Sequence, residues 1–167
     1  MNQKITPFLW FDRNAEEAMN FYVSVFNGNP NKKQESKVIT VKKYPEGPLE
    51  GPMQGFEGQV LTGVFELEGQ QYMCLDGGPV FKPNESFSIL VDCADQKEID
   101  YFWDAFIKGG GQESQCGWLK DKYGFSWQIT PSMEKFFLGS GDKEKERRAM
   151  SALLKMKKII IADLENA

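Results

Sequence analysis

Histidine is absent from this sequence. Its absence removes the side chain most used as a general base near neutral pH, and the commonest transition-metal ligand. No serine or cysteine nucleophile can be activated here by an imidazole. Cysteine is scarce. Cys74, Cys93 and Cys116 stand far apart, their count is odd, and no C-x-x-C pair occurs. This spacing argues against a disulfide framework or a zinc knuckle and predicts three reduced, mostly buried thiols. Long apolar runs are missing too. Runs such as "IIIA" at 159–162 fall far short of the roughly 20 residues that cross a bilayer. The N-terminal "MNQKITPFLWF" carries one lysine and no apolar stretch ending in small residues, so no secretory signal is expected. Positive charge is not in excess. The net charge of -4 argues against binding to phosphate backbones. These absences predict a cytoplasmic protein with neither membrane nor nucleic-acid partners.

What is present is a sizeable apolar fraction. Hydrophobic residues make up 41% of the 167 and aromatics 13%. Such a chain can bury a core and does not read as disordered. Its length fits one domain, or one domain made of two similar halves.

The halves are visible as a repeat. "FLWFDRNAEEAMNFYVSVF" (8–26) aligns with "SILVDCADQKEIDYFWDAF" (88–106) at an offset of eighty. Each reads as a short apolar strand, a polar turn and a helix. Asn14 with Glu17, and Asp95 with Glu98, have the spacing of capping boxes. Ala15, Ala18, Met19, Tyr22, Val25 and Phe26 recur at helical spacing and predict one buried face. Ile99, Phe102, Trp103 and Phe106 do the same in the second copy. Gly28 and Gly109 are placed as helix stops.

Strands follow each helix. In the first half they are expected at 37–44, 59–69 and 70–76. The Gly- and Pro-rich "YPEGPLEGPMQGFEG" (44–58) between them is a long loop, either a binding lid or a solvated connector. In the second half "CGWLKD" and "FSWQIT" predict a hairpin around Tyr123 and Gly124. A second correspondence, at an offset of fifty-five, pairs Gly69 with Gly124, Tyr72 with Trp127 and Met73 with Gln128. A further helix is expected from about Asp142 to Lys157, with Met150, Leu153, Leu154 and Met156 available to pack. The tail "KKIIIADLENA" has apolar residues left over that could lie on a neighbouring chain.

Two strand–helix–strand–strand–strand modules in tandem resemble the vicinal oxygen chelate superfamily, which spans glyoxalase I, bleomycin-resistance proteins and extradiol dioxygenases. Within it the chain resembles the PhnB-like branch, often labelled demethylubiquinone methyltransferase-like. The residues that carry this are "ITPFLWF", "NAEEAMNFY", "CLDGGP", "LVDCADQKEIDYFWDAF", "CGWLKDKYGFSWQITP" and "ALLKMKKI". The resemblance implies an α+β fold. Two tandem βαβββ-type modules, about 3–79 and 84–131, would form an incomplete mixed β-barrel around a cavity within a domain spanning 1–131. A C-terminal helical extension, 132–167, would follow. It also implies a homodimer, an arrangement that open sheet edges favour.

In metal-dependent members of the superfamily, a histidine on each module's first strand and a glutamate on each last strand supply ligands. Those positions become Pro7, Met73, Phe87 and Gln128 here. A slip of one gives Thr6, Phe8, Ser86 or Ser88. None offers an imidazole or a carboxylate, so no metal and no cofactor are expected. Leu9 and Trp118 join Pro7, Met73, Phe87 and Gln128 as candidates to line the cavity and bind a small-molecule ligand. Gln128 sits in a strand whose neighbours are apolar. It is either a ligand anchor or a structural amide bonded to Trp118, Tyr123 or the backbone, because a buried amide needs partners. Trp127 is expected to face the opposite way, into the core.

The methyltransferase label finds no support in a nucleotide-type glycine turn. "GGG" at 109–111 follows a helix rather than opening one. "GSGDKE" at 139–144 lacks the third glycine, and Asp142 is more simply a cap. Three readings therefore remain. One is a metal-independent small-molecule-binding protein. Another is an enzyme of this superfamily, a lyase or oxidoreductase, or one using Cys116 near Lys120 and Lys122 with Asp76 or Asp121 as bases. The third is a carboxylate metal site from Glu66, Glu68 and Asp76. No catalytic residue is assigned.

Overall fold

The computed structural model describes residues 3–136 and 141–167, except for the side chain of Lys135. The first residues of the 139–144 glycine stretch lie outside it. The chain divides into two compact units. One comprises Met1–Gly28 and Lys32–Lys82, the other Asn29–Asn31 and Pro83–Ala167.

The first unit runs β1 (Phe8–Phe11), α1 (Ala15–Gly28), β2 (Lys37–Lys43), β3 (Val60–Leu67) and β4 (Gln70–Asp76). Its four strands form one sheet in the order β1-β4-β3-β2. β1 is parallel to β4 and the other pairs are antiparallel. α1 buries Ala15, Ala18, Met19, Tyr22, Val25 and Phe26, the face that helical spacing predicts. Tyr22 stacks on Phe65 of β3, which stacks on Tyr72 of β4. Gly63 is where α1 comes closest to the sheet. A Cβ there would lie 2.5 Å from the Met19 sulfur, so only glycine admits that side chain.

The second unit repeats the plan with β5 (Ser88–Cys93), α2 (Gln96–Lys108), β6 (Gln112–Glu113), β7 (Trp118–Lys120) and β8 (Ser126–Pro131), in the order β5-β8-β7-β6. The β7–β8 hairpin turns at Gly124, whose φ of 94° is left-handed and suits glycine. Asp95 caps α2, its side chain accepting from the Glu98 amide at 2.9 Å. Glu98 reaches back to the amide of Ala94. Ile99, Phe102, Trp103 and Phe106 are buried, and Phe106 packs on Trp127 with ring centroids 4.6 Å apart. Gly109 ends the helix with an ordinary φ of -68°, and the left-handed residue is its neighbour Gly110. Each sheet is an open, four-stranded mixed ladder, so the described residues hold two tandem βαβββ modules without a closed barrel.

The C-terminal part differs in detail from the sequence expectation. After α3 (Met133–Phe136), α4 spans Lys143–Leu153 and ends four residues before Lys157. Asp142 does cap it. The face it buries is Ala149 and Leu153, whereas Met150 and Leu154 are exposed. A short α5 (Ile161–Glu165) follows. The tail does not hold its apolar residues in reserve. Ile159 and Leu164 are buried against their own unit. The Cys116 and Gly117 amides donate to the carbonyls of Met156 and Lys157. Gln96 donates to the Ile159 carbonyl and accepts from the Ile161 amide. Among the described residues, no helix is long and apolar enough to cross a membrane.

Candidate functional site

Helix packing fixes which face of each sheet is core. In the first unit, a Cβ on Gly63 would meet both Met19 and Cys74. Leu9 pairs with Cys74 and is 2% exposed. Leu9 therefore packs on the α1 side, away from the face that carries Met73, and this corrects its assignment as a cavity residue. The alternation of a strand puts Phe8 and Trp10 on the face away from α1. They pair with Met73 and Leu75 respectively. Pro7 precedes β1, and its carbonyl accepts from the Met73 amide at 3.0 Å. Thus Phe8, one position beyond Pro7, stands beside Met73. Trp10 lies flat over Gly77, where a Cβ would fall 2.2 Å from the indole, and donates to the Gly78 carbonyl.

In the second unit Leu119, Trp127, Ile89 and Ile129 alternate onto the α2 side and are buried. The opposite face carries Ser88 and Leu90 on β5, Ser126, Gln128 and Thr130 on β8, and Trp118 and Lys120 on β7. Gln128 pairs in register with Leu90 on one side and Trp118 on the other. The structure thus brings two of the candidates, Trp118 and Gln128, side by side on the open face. Phe87 lies just before β5 and is 49% exposed. The residue that touches Gln128 is its neighbour Ser88, whose Oγ accepts from the Gln128 amide nitrogen at 2.8 Å. None of Trp118, Tyr123 or the backbone takes that bond. In both modules the residue beside the last-strand candidate is one position further on than the count from the helices gave. The offset of eighty matches Pro7 to Phe87 and Phe8 to Ser88 alike, so only the strand register decides between them. Leu90, 44% exposed, and Thr130 were not anticipated; alternation from Trp127 reaches Thr130, and only the pairing of β5 with β8 brings Leu90 to the same face.

The candidate bases have structural duties. Asp76, 3% exposed, accepts from the amides of Asn14 and Ala15 at 3.0 Å each and so anchors the start of α1. Burial raises its pKa, and hydrogen bonds from the Ala15, Asn14 and Arg13 amides partly offset that rise. Asp121 accepts from the amides of Tyr123 and Phe125 and from the Trp127 indole, tying together the hairpin turn. Cys116 is half-buried with a left-handed φ of 58°. The lysines invoked beside it are engaged elsewhere: Lys120 pairs with Glu85, and Lys122 lies over the Tyr123 ring. Burial pushes the Cys74 thiol up to about 12 and raises that of Cys93 as well. The three carboxylates of the metal reading serve different partners. Glu68 accepts from the Lys33 and Gln34 amides, Glu66 faces Lys37 and Gln71, and Asp76 holds α1.

The 44–58 loop is pinned along its length. Tyr44 donates to the Asp76 carbonyl, and Phe56 packs against Tyr44 at 5.3 Å between centroids. The Arg13 guanidinium covers the Phe56 ring at 4.5 Å.

A family model described as 3-demethylubiquinone-9 3-methyltransferase matches residues 3–130. The chain belongs to that family. It is PhnB-like. Among solved structures it is similar to a PhnB protein from Bacillus cereus, with 37% identity and a TM-score of 0.62, over 75% of this chain and 97% of that one. It also matches PA1353 from Pseudomonas aeruginosa at 17% identity and a TM-score of 0.58, over 75% of this chain and 95% of that one. The fosfomycin resistance protein FosX from Listeria monocytogenes, complexed with Mn(II) and sulfate, matches at 11% identity and a TM-score of 0.51, over 81% and 94%. The last two likenesses concern the fold alone. No curated protein matches the chain.

The superfamily's metal raises a question of donor chemistry for this PhnB-like chain. Pro7 or Phe8, Met73, and Phe87 or Ser88 offer a pyrrolidine, phenyl rings, a thioether and a hydroxyl already bonded to Gln128. Gln128 itself offers one amide oxygen. A divalent cation needs several carboxylate, imidazole or thiolate donors, so these residues do not fit it.

Proposed function

We propose that this protein binds a small molecule without a metal ion, on the sheet face of the second module that points away from α2, with Gln128 as its polar anchor. Trp118 and Leu90 flank the amide as apolar neighbours, a flat surface and an aliphatic one beside a single amide. The observation that carries the reading is the Gln128 amide, half-buried on the face away from α2 and steadied by Ser88. One hydrogen on its nitrogen is committed to Ser88. Among the described residues, nothing donates to its carbonyl oxygen.

The test is Gln128→Leu, with the melting midpoint and ligand affinity measured on the same protein against a metabolite library. Ser88 is half-buried and can rehydrate, so the midpoint should move little. Affinity for a hit should fall by the worth of one or two hydrogen bonds, about 1–3 kcal/mol. A large drop in the midpoint with unchanged affinity would show a packing role instead. Elemental analysis should find no stoichiometric transition metal; one equivalent retained against chelator overturns the metal-free part. Catalysis by Cys116, Asp76 or Asp121 has less support, given the structural duties of both carboxylates. A homodimer joined through the edge strands belongs to the same proposal, and light scattering tests it. The tail is no longer a reason for it, because Ile159 and Leu164 are buried in their own unit.

A further inference from the structure

The floor of this face, along β8, is uncharged. Ser126, Gln128 and Thr130 occupy three successive positions on it, and Ser126 and Thr130 are each only 3% exposed. The Thr130 hydroxyl is buried and has no hydrogen-bond partner among the described residues. The charges at the margin do not change this character. Lys120 is bonded to Glu85, and Asp92, in register with Thr130, adds a negative charge rather than a positive one. An anion brought onto this floor would give up its hydration without meeting an unpaired cation, which is costly.

The Gln128 amide narrows the ligand further. With one N–H spent on Ser88, it retains one N–H donor and its carbonyl acceptor. The complement of a donor and an acceptor on one amide is an acceptor and a donor on adjacent ligand atoms. The Trp118 indole, in register beside it, offers a flat apolar surface to a planar ring.

Building on the function proposed above, we infer that the ligand class is an uncharged planar heterocycle carrying a lactam, a carbonyl next to a ring N–H, and that Gln128 reads this pair. The Ser88 hydroxyl is a positioning group. It holds the amide so that both remaining hydrogen-bonding groups meet the ring.

Three probes of nearly the same shape test this: 2-quinolinone, its N-methyl derivative and quinoline-2-carboxylate. The readout is the side-chain amide signal of Gln128 in nitrogen–proton correlation spectra, assigned by its loss in Gln128→Leu. 2-Quinolinone should shift that signal saturably. N-methylation should weaken binding at least tenfold, and the carboxylate should bind more weakly still. In Ser88→Ala the preference for the lactam over its N-methyl form should shrink. Equal binding of the N-methyl compound, or stronger binding of the carboxylate, overturns the lactam class. So does an unmoved Gln128 signal with 2-quinolinone. In each of these cases the parent reading stands as long as Gln128→Leu weakens other ligands from the library. It falls too if Gln128→Leu leaves every library ligand unaffected.

Discussion

In the first module the amides of Asn14 and Ala15 bond to Asp76, sixty-one positions beyond Ala15, at the far end of β4. In the second, the amide of Glu98 bonds to Asp95, three residues before it. The topology is the same, but the first helix start is secured by tertiary structure and the second by a local cap. The first arrangement gives Arg13, which enters α1 with a left-handed φ of 63°, a place for its own amide at the same carboxylate. It also makes Asp76 a junction, because the Asp76 carbonyl holds Tyr44 and through it the 44–58 loop. The second module instead spends distant contacts on its C-terminal tail, which crosses the hairpin at Cys116 and Gly117 and clasps the start of α2 through Gln96. One repeat thus shows two solutions to one problem: the amides that open a helix need acceptors wherever the chain finds them.

The sharpest way to break this comparison is to remove each anchor. Asp76→Ala strands buried amides at the start of α1 and should cost about 4 kcal/mol, summing over donors left unsatisfied. Asp95→Ala should cost only about 1 kcal/mol, the usual value of a local cap. Chemical denaturation of both variants measures the difference, and equal losses would show that the two helix starts are alike after all. Next in size is the tail. Ile159 is 1% exposed, so Ile159→Ala should cost about 3 kcal/mol through the cavity it leaves. Exposed Ile160→Ala, by contrast, should stay within about 0.5 kcal/mol.

A smaller contrast is expected between the open faces. Met73→Gln puts on the first sheet the residue that Gln128 supplies on the second. The partner beside it is Phe8, which has no hydrogen-bonding side chain, so the new amide should bind no lactam probe. A gain of binding there would mean that Ser88 is dispensable. The smallest effect is in pH dependence, and its sign differs between the modules. Burial raises the pKa of Asp76. Its protonated form is therefore favoured by folding, and stability from this group falls as pH rises from the ordinary aspartate value through the raised one. Hydrogen bonding from Lys158 lowers the pKa of Asp100. Its contribution is present above the ordinary value and is lost as pH falls through the lowered one. Melting midpoints of Asp76→Asn and Asp100→Asn across mildly acidic pH should deviate from the parent in opposite directions.

The local sequence determined the helices. The apolar spacing from Ala15 to Phe26 and from Ile99 to Phe106 fixed the buried faces, because a 3.6-residue period leaves one stripe to bury. Asp95 and Asp142 were legible as caps because a cap acts within three residues. Tertiary structure decided the rest. Leu9 went to the core and Phe8 to the open face, because one residue of register turns a strand side chain over, and the register comes from pairing with β4. Asp76 became an anchor rather than a base because its strand ends where α1 begins. Ser88 became the partner of Gln128 across forty positions, a contact that only the parallel pairing of β5 with β8 creates. The tail folded onto its own module because Gly117 leaves room for Ile159, where a Cβ would come within 2.7 Å of that side chain. Patterns that repeat along a chain can be read from it, but contacts between distant strands depend on how those strands are laid side by side.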